Sequence, residues 1–213
     1  MEKKYQVFVS STYEDLKEER AAVNQCLLDC GCIPVGMEQF PASGMSQMEY
    51  IEKMLNDCDY YILILAGRYG SCDENGVGYT EKEYDYAESH NIPIMSFVIR
   101  NIGDLISRRC ETTDEGRNKL NAFREKVCSN RLVKMYSTTD ELKSNVAISL
   151  LQCVKDFPAR GWVRGEEATI DNNVLKRIDE LEKKAANTPK IHVGKEPPEN
   201  MPPGSIFFQL EDE

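Results

Sequence analysis

A chain of 213 residues with 41% hydrophobic content has room for one sizeable domain and an appendage. Its formal net charge of -10, with no dense Lys/Arg cluster, argues against a partner held by its phosphate backbone, so no nucleic acid is expected. No run approaches the ~18 consecutive apolar residues of a membrane span, and Met1 to Tyr5 leads into a strand rather than a signal-peptide core. The expectation is a soluble, cytoplasmic chain with no membrane partner.

Tyr5-Gln6-Val7-Phe8-Val9 reads as a first strand and ends in the hydroxyl-rich Ser10-Ser11-Thr12. A helix is predicted from Tyr13 to Cys30, with Leu16, Val23, Leu27 and Cys30 on one face and Gly31 as its stop. Ile33 to Glu38 reads as a second strand, and Pro34, which cannot donate to a central ladder, places it at an edge. After a loop from Gln39 to Gly44, Ser46-x-x-Glu49 is a capping box opening a helix to about Asn56. Residues 59–66 are apolar without alternation, as expected of a strand buried on both faces, and this third strand belongs at the centre.

Gly67-Arg68-Tyr69-Gly70 follows, then a loop to Val77, a helix opening at Thr80 and running to about His90, and a fourth strand from Ile92 to Ile99. Residues 100–113 read as an irregular Arg-rich connection and Asp114 to Cys128 as a helix. Arg131 to Tyr136 reads as a fifth strand. Thr138-x-x-Glu141 caps a last helix with Leu142, Val146, Leu150 and Val154 inward, and Pro158 ends it. Five strands alternating with helices predict an α/β fold: a parallel sheet covered on both faces, in the flavodoxin-like order 2-1-3-4-5.

Eight irregularly spaced cysteines in a chain of this size read as reduced thiols, mostly small buried hydrophobes. Cys26, Cys30 and Cys32 come nearest to a metal cluster, but there is no Cys-x-x-Cys pair and only His90 and His192 as histidines, so no metal site is expected.

In such a sheet ligands bind beyond the carboxyl ends of the strands where the order reverses, here between strands one and three. Ser10, Ser11 and Thr12 arrive there before a helix N-terminus suited to phosphate. Gly67, Arg68, Tyr69 and Gly70 arrive from strand three, with Arg68 as a charged fork and Tyr69 or Tyr79 as a stacking surface. Glu38, at the end of strand two, is a second carboxylate for the same rim. Glu83 carries two readings that stay open. In Thr80-x-x-Glu83 it is the third residue of a capping box, with no chemistry; in the first turn beside the crevice it is a catalytic carboxylate.

Phe8-Val9-Ser10-Ser11-Thr12-Tyr13-Glu14-Asp15-Leu16-x-x-Glu19-Arg20, Pro34-Val35-Gly36-Met37-Glu38-x-Phe40, Arg68-Tyr69-Gly70 and Tyr79-Thr80-Glu81-x-Glu83-Tyr84 together resemble a TIR-like domain family of unknown function. Its members occur in bacteria, often at the N-terminus of larger signalling or defence proteins. The resemblance covers residues 4–164, to the closing Gly161-Trp162-Val163-Arg164. It implies kinship with TIR domains, some of which cleave the nicotinamide-ribose bond of NAD through a glutamate in the helix of Glu83. More distantly, Tyr79-Thr80-x-x-Glu83-x-Asp85-x-Ala87 is similar to the Gly-Thr-x-x-Glu-x-Gly-x-Ala pattern of nucleoside deoxyribosyltransferases. Two departures stand out. Catalytic TIR domains carry a Trp near that glutamate, whereas the only Trp here is Trp162, leaving Tyr79 or Tyr84 to substitute; Asp85 replaces the transferase Gly.

The implied chemistry is coherent. Breaking an N-glycosidic bond develops oxocarbenium character on the ribose, which a carboxylate can stabilise or attack, and nicotinamide leaves as a neutral group without a general acid. NAD enters as substrate or ligand and no cofactor is expected. The second function class is a non-catalytic TIR-like module that binds a nucleotide or its own kind and signals to a partner.

The domain boundary is expected after residue 165. The remaining residues, 166–213, carry 11 acidic and 6 basic side chains and five of the nine prolines. Val174, Ile178, Leu181 and Ala185 form a short coiled-coil-like seam that needs the domain, a second copy or a partner protein to pack on. The apolar end, Ile206 to Leu210, reads either as a disordered tail or as a docking strand.

Overall fold

Tyr60 to Leu65 (β3) is buried at every residue. A strand reaches that state only with neighbours on both edges and helices on both faces. The computed structural model describes residues 3–36, 46–129, 132–164, 172–186, 191–194, 196 and 205–210. In it β3 lies at the centre of a five-stranded parallel sheet with β1 (Gln6–Ser10), β2 (Ile33–Val35), β4 (Ile94–Ile99) and β5 (Val133–Tyr136), in the order β2-β1-β3-β4-β5. This is the flavodoxin-like order expected from the sequence. Pro34 is on the edge strand, opposite Val7 of β1.

The alternation of side chains along β3 divides the core in two. Tyr60, Ile62 and Ile64 pack with Val23 and Leu27 of α1 (Lys17–Asp29) and with Val146 and Leu150 of α5 (Thr139–Asp156). Tyr61, Leu63 and Leu65 pack with Leu55 of α2 (Gln47–Asn56), Tyr84 of α3 (Tyr79–Ser89) and Phe123 of α4 (Asp114–Ser129).

Capping explains where two helices start. Ser46 accepts from the Glu49 amide and donates its own amide to Glu49 Oε2 at 2.9 Å, the predicted box. Thr138 accepts from the Glu141 amide at 3.1 Å, while Glu141 reaches the Ser137 amide, one residue further back than a box requires. The predicted irregular connection contains two short 3-10 turns, Ile102–Asp104 and Ser107–Arg109.

Some boundaries differ from expectation. The first helix begins at Lys17, because residues 13–16 form a turn closed by the Leu16 amide on the Tyr13 carbonyl and seated by the buried Leu16 side chain. Cys26 rather than Cys30 faces the core from α1, and Cys153 is more deeply buried than Val154 in α5. β2 ends at Val35, and Glu38 lies outside the described residues.

The chain divides into two units, Met1–Val163 and Arg164–Glu213. The second contains α6 (Asn172–Ala186) and the strands β6 (Ile191–Gly194) and β7 (Ile206–Gln209). The apolar end forms a strand: β7 pairs in parallel with β6, Ile191 opposite Ile206 and Gly194 opposite Gln209. Of the expected seam on α6, two side chains are described, Ile178 and Leu181, and both are about half exposed, at 47% and 54%.

Candidate functional site

β1 and β3 are neighbours, but the chain leaves β1 for α1 on one face of the sheet and, after β3, reaches α3 on the other. The two connections part, and a crevice opens between the carboxyl ends of the strands. A cavity of about 660 Å³ occupies it. Ser10, Ser11 and Thr12 line it from the end of β1, Arg68 and Gly70 from the segment after β3, and Tyr79, Thr80 and Glu83 from α3.

The N-cap of α3 is Gly78, in extended conformation and with no side-chain cap. Thr80 therefore lies inside the helix and the capping box does not form. Glu83 turns away from the helix start: it is 1% exposed and accepts a hydrogen bond from the Ser10 hydroxyl, itself buried. The fully buried Tyr61 of β3 adjoins this pair. Burial and the charge of Glu83 push its phenol well above the usual range, with the Ser10 hydroxyl acting in the opposite direction. Ser10, Glu83 and Tyr61 thus form a buried polar group, of which Ser10 and Glu83 line the cavity.

Ser11 is held as tightly. Arg20 of α1, 4% exposed, donates from Nη1 to Ser11 Oγ at 2.8 Å and to the Val9 carbonyl at 3.1 Å, and Ser11 donates to the Thr12 carbonyl at 2.8 Å. With α1 starting at Lys17, Ser10 to Thr12 stand before a turn and not at the helix's first amides. The expected phosphate site at a helix N-terminus is not formed by these residues.

The segment after β3 divides into lining and support. Arg68 lines the cavity, and its Nη2 donates to the Arg108 carbonyl at 2.6 Å. Gly70 has φ of 91°, and a Cβ there would meet Thr12 Cγ2 at 2.7 Å, so both the backbone conformation and the close approach of the two loops require glycine. Gly67 and Tyr69 do not line the cavity. A Cβ on Gly67 would meet the Arg109 carbonyl at 2.4 Å, so this glycine serves packing. Tyr69 is 5% exposed and packs edge-on against Phe123; its hydroxyl donates to Glu81 and accepts from the Gly78 amide at 3.0 Å. Burial, with the Glu81 hydrogen bond, raises its phenol to about 12. Tyr69 therefore fixes the N-cap of α3 instead of offering a stacking surface.

Sequence reasoning missed four charged residues of the cavity: Glu14, Asp15, Arg20 and Glu111. Arg20 falls on the same face of α1 as Val23 and Leu27, so a charged residue on an otherwise apolar face was the signal that could have found it. Glu111 lies in the connection after β4, where no periodicity reports the path; its Oε1 accepts from the Tyr69 amide at 2.7 Å. Asp15 is 6% exposed, and burial raises its carboxyl, against the Thr12 hydroxyl and the charges of Arg68 and Arg109. The only tryptophan is elsewhere: Trp162 pairs with Lys4, just before the other end of β1.

A family model described as a domain of unknown function, DUF4062, matches residues 6–151. The chain belongs to this family. The matched span contains all five strands of the sheet and every lining residue named above. No curated protein matches the chain. Among 26 matching chains of solved structure are the TIR domains in the activated Roq1 resistosome directly recognizing the pathogen effector XopQ; they are 12% identical, over 85% of this chain and 99% of that one, at a TM-score of 0.38.

The geometry around Glu83 is open to a direct check. Removing either partner of a buried hydrogen bond leaves the other unsatisfied, so a Ser10→Ala and Glu83→Ala double-mutant cycle in urea should show a coupling of about 1–3 kcal/mol. Additivity within about 0.5 kcal/mol would mean that the two side chains do not interact.

Proposed function

We propose that the cavity binds a nucleotide and that Glu83 is the carboxylate on which cleavage of the nicotinamide-ribose bond of NAD depends. The observation that carries this reading is that Glu83 is not spent on the helix start: its carboxylate lies at the cavity floor, held by Ser10. A buried, oriented carboxylate costs little reorganisation when positive charge develops on a ribose beside it. Arg68 would meet the phosphates, and Tyr79, which lines the cavity, would take the stacking role that Trp fills in catalytic TIR domains. The reaction asks for no general acid, because nicotinamide departs neutral. The setting would be the cytoplasm, in the signalling or defence that the family resemblance implies.

A second reading has its own observation. Glu83 is 1% exposed and its Oε2 accepts from Ser10, so a ribose meets the carboxylate only after the side chains around it move. A module that binds a nucleotide and passes a signal without cleaving it would leave this arrangement intact. In either case α6, with Ile178 and Leu181 exposed, would join the protein to a second copy or to a partner.

Release of free nicotinamide from NAD by the purified chain, in dilute and assembled states, separates the two readings. With Gly78 as N-cap, Glu83→Gln should leave the start of α3 in place and remove only the charge. A loss of roughly 3–4 kcal/mol of electrostatic stabilisation lowers turnover by about two to three orders of magnitude. Equal turnover by wild type and Glu83→Gln would rule out Glu83 as the catalytic carboxylate; binding of NAD without nicotinamide release in any state would favour the module. Replacing Ile178 and Leu181 together with Glu should shift sedimentation toward the monomer. An unchanged sedimentation profile would make α6 a free arm.

A further inference from the structure

One wall of the cavity holds polar groups that chemistry at Glu83 leaves unused. Asp15 lies in the turn between β1 and α1, lines the cavity and is 6% exposed, yet neither of its carboxylate oxygens makes a hydrogen bond among the described residues. The Thr12 hydroxyl lies close enough to hold the Asp15 carboxyl down, yet it too is buried without a well-formed hydrogen bond. Arg68, whose charge acts on Asp15, lines the same cavity with its Nε buried and unpartnered.

Buried polar groups are hydrogen-bonded in nearly every folded protein, and an acceptor left without a donor at a cavity wall is satisfied when a ligand brings one. A carboxylate offers two acceptor oxygens in one plane, which match the paired hydroxyls of a ribose. A guanidinium N–H beside it matches a phosphate oxygen. Ribose carrying a phosphate presents both partners on one small fragment. We propose that Asp15 and Arg68 form a ribose-phosphate subsite in which Asp15 accepts hydrogen bonds from the ribose hydroxyls, so that the cavity selects ribonucleotides over deoxyribonucleotides. The subsite rests on the nucleotide reading of the cavity and is independent of any bond cleavage at Glu83. Burial alone raises the Asp15 carboxyl, so the donors of a ribose also stabilise its charged form.

Calorimetric titration of the full chain with ADP, 2′-deoxy-ADP and 3′-deoxy-ADP tests the assignment. Wild type should bind ADP at least about tenfold more tightly than the weaker of the deoxy forms. Asp15→Asn keeps the side chain's size and removes a buried charge, so its melting temperature should not fall. It should bind ADP about tenfold more weakly than wild type and distinguish the three ligands by less than about threefold. Wild type that binds all three nucleotides equally overturns the Asp15 assignment and leaves the nucleotide reading standing, as does an Asp15→Asn variant that keeps the full discrimination. Wild type that binds none of the three overturns both.

Discussion

Every residue of β3 is buried, and that single constraint determines where this protein can hold a ligand. A strand covered on both faces and both edges must be central, and right-handed crossovers then send the chain after β1 and the chain after β3 to opposite faces of the sheet. In the gap between those departures, two loops and α3 converge on one cavity. Thr12 and Gly70 come so close there that a Cβ on Gly70 would collide with the threonine methyl.

Once the crevice exists, buried polar contacts decide its shape. Ser10 ties the end of β1 to the second turn of α3 through Glu83, across 73 residues of sequence. Arg20 pins Ser11 and the Val9 carbonyl from inside α1. The connection after β4 buttresses both walls: Arg109 pairs with Glu19 of α1, and Glu111 accepts from the Tyr69 amide beside Arg68. Behind the cavity, Lys82 of α3 pairs with Asp73, whose carboxyl is held down to about 2 by that lysine and by the Val77 and Asn75 amides. The residues facing the cavity are therefore carried on backbone that is bonded from behind, the condition under which a site is preorganised.

Much of this was legible in the sequence because it depends on period and composition. The unbroken apolar run of β3, the proline on β2 and the hydroxyl caps of α2 and α5 lead to the sheet order, and the order leads to the crevice. What could not be read was which of two chemically equivalent uses a side chain would find. Thr80-x-x-Glu83 satisfies the capping pattern, but Gly78 lies one residue before the helix and takes the N-cap, leaving Glu83 to a partner 73 residues away. Tyr69 suits a stacking platform, but Phe123 and Glu81 bury it. Glu14, Asp15 and Glu111 were missed because they lie in the turn at residues 13–16 and in an irregular connection, neither of which has a period to detect. A strand at Ile206 to Leu210 was one of two readings, but its pairing was not legible, because the four-residue β6 has no signal of its own until β7 is beside it.

The central claim is that the cavity between the ends of β1 and β3 receives a nucleotide with Glu83 at its floor. Backbone amide NMR of the full chain titrated with NAD tests it most directly. The largest shifts should fall on residues 10–15, 68–71 and 79–83, with Lys4 and Trp162 unmoved near the opposite end of β1. Shifts centred elsewhere, or none at saturating NAD, would contradict it.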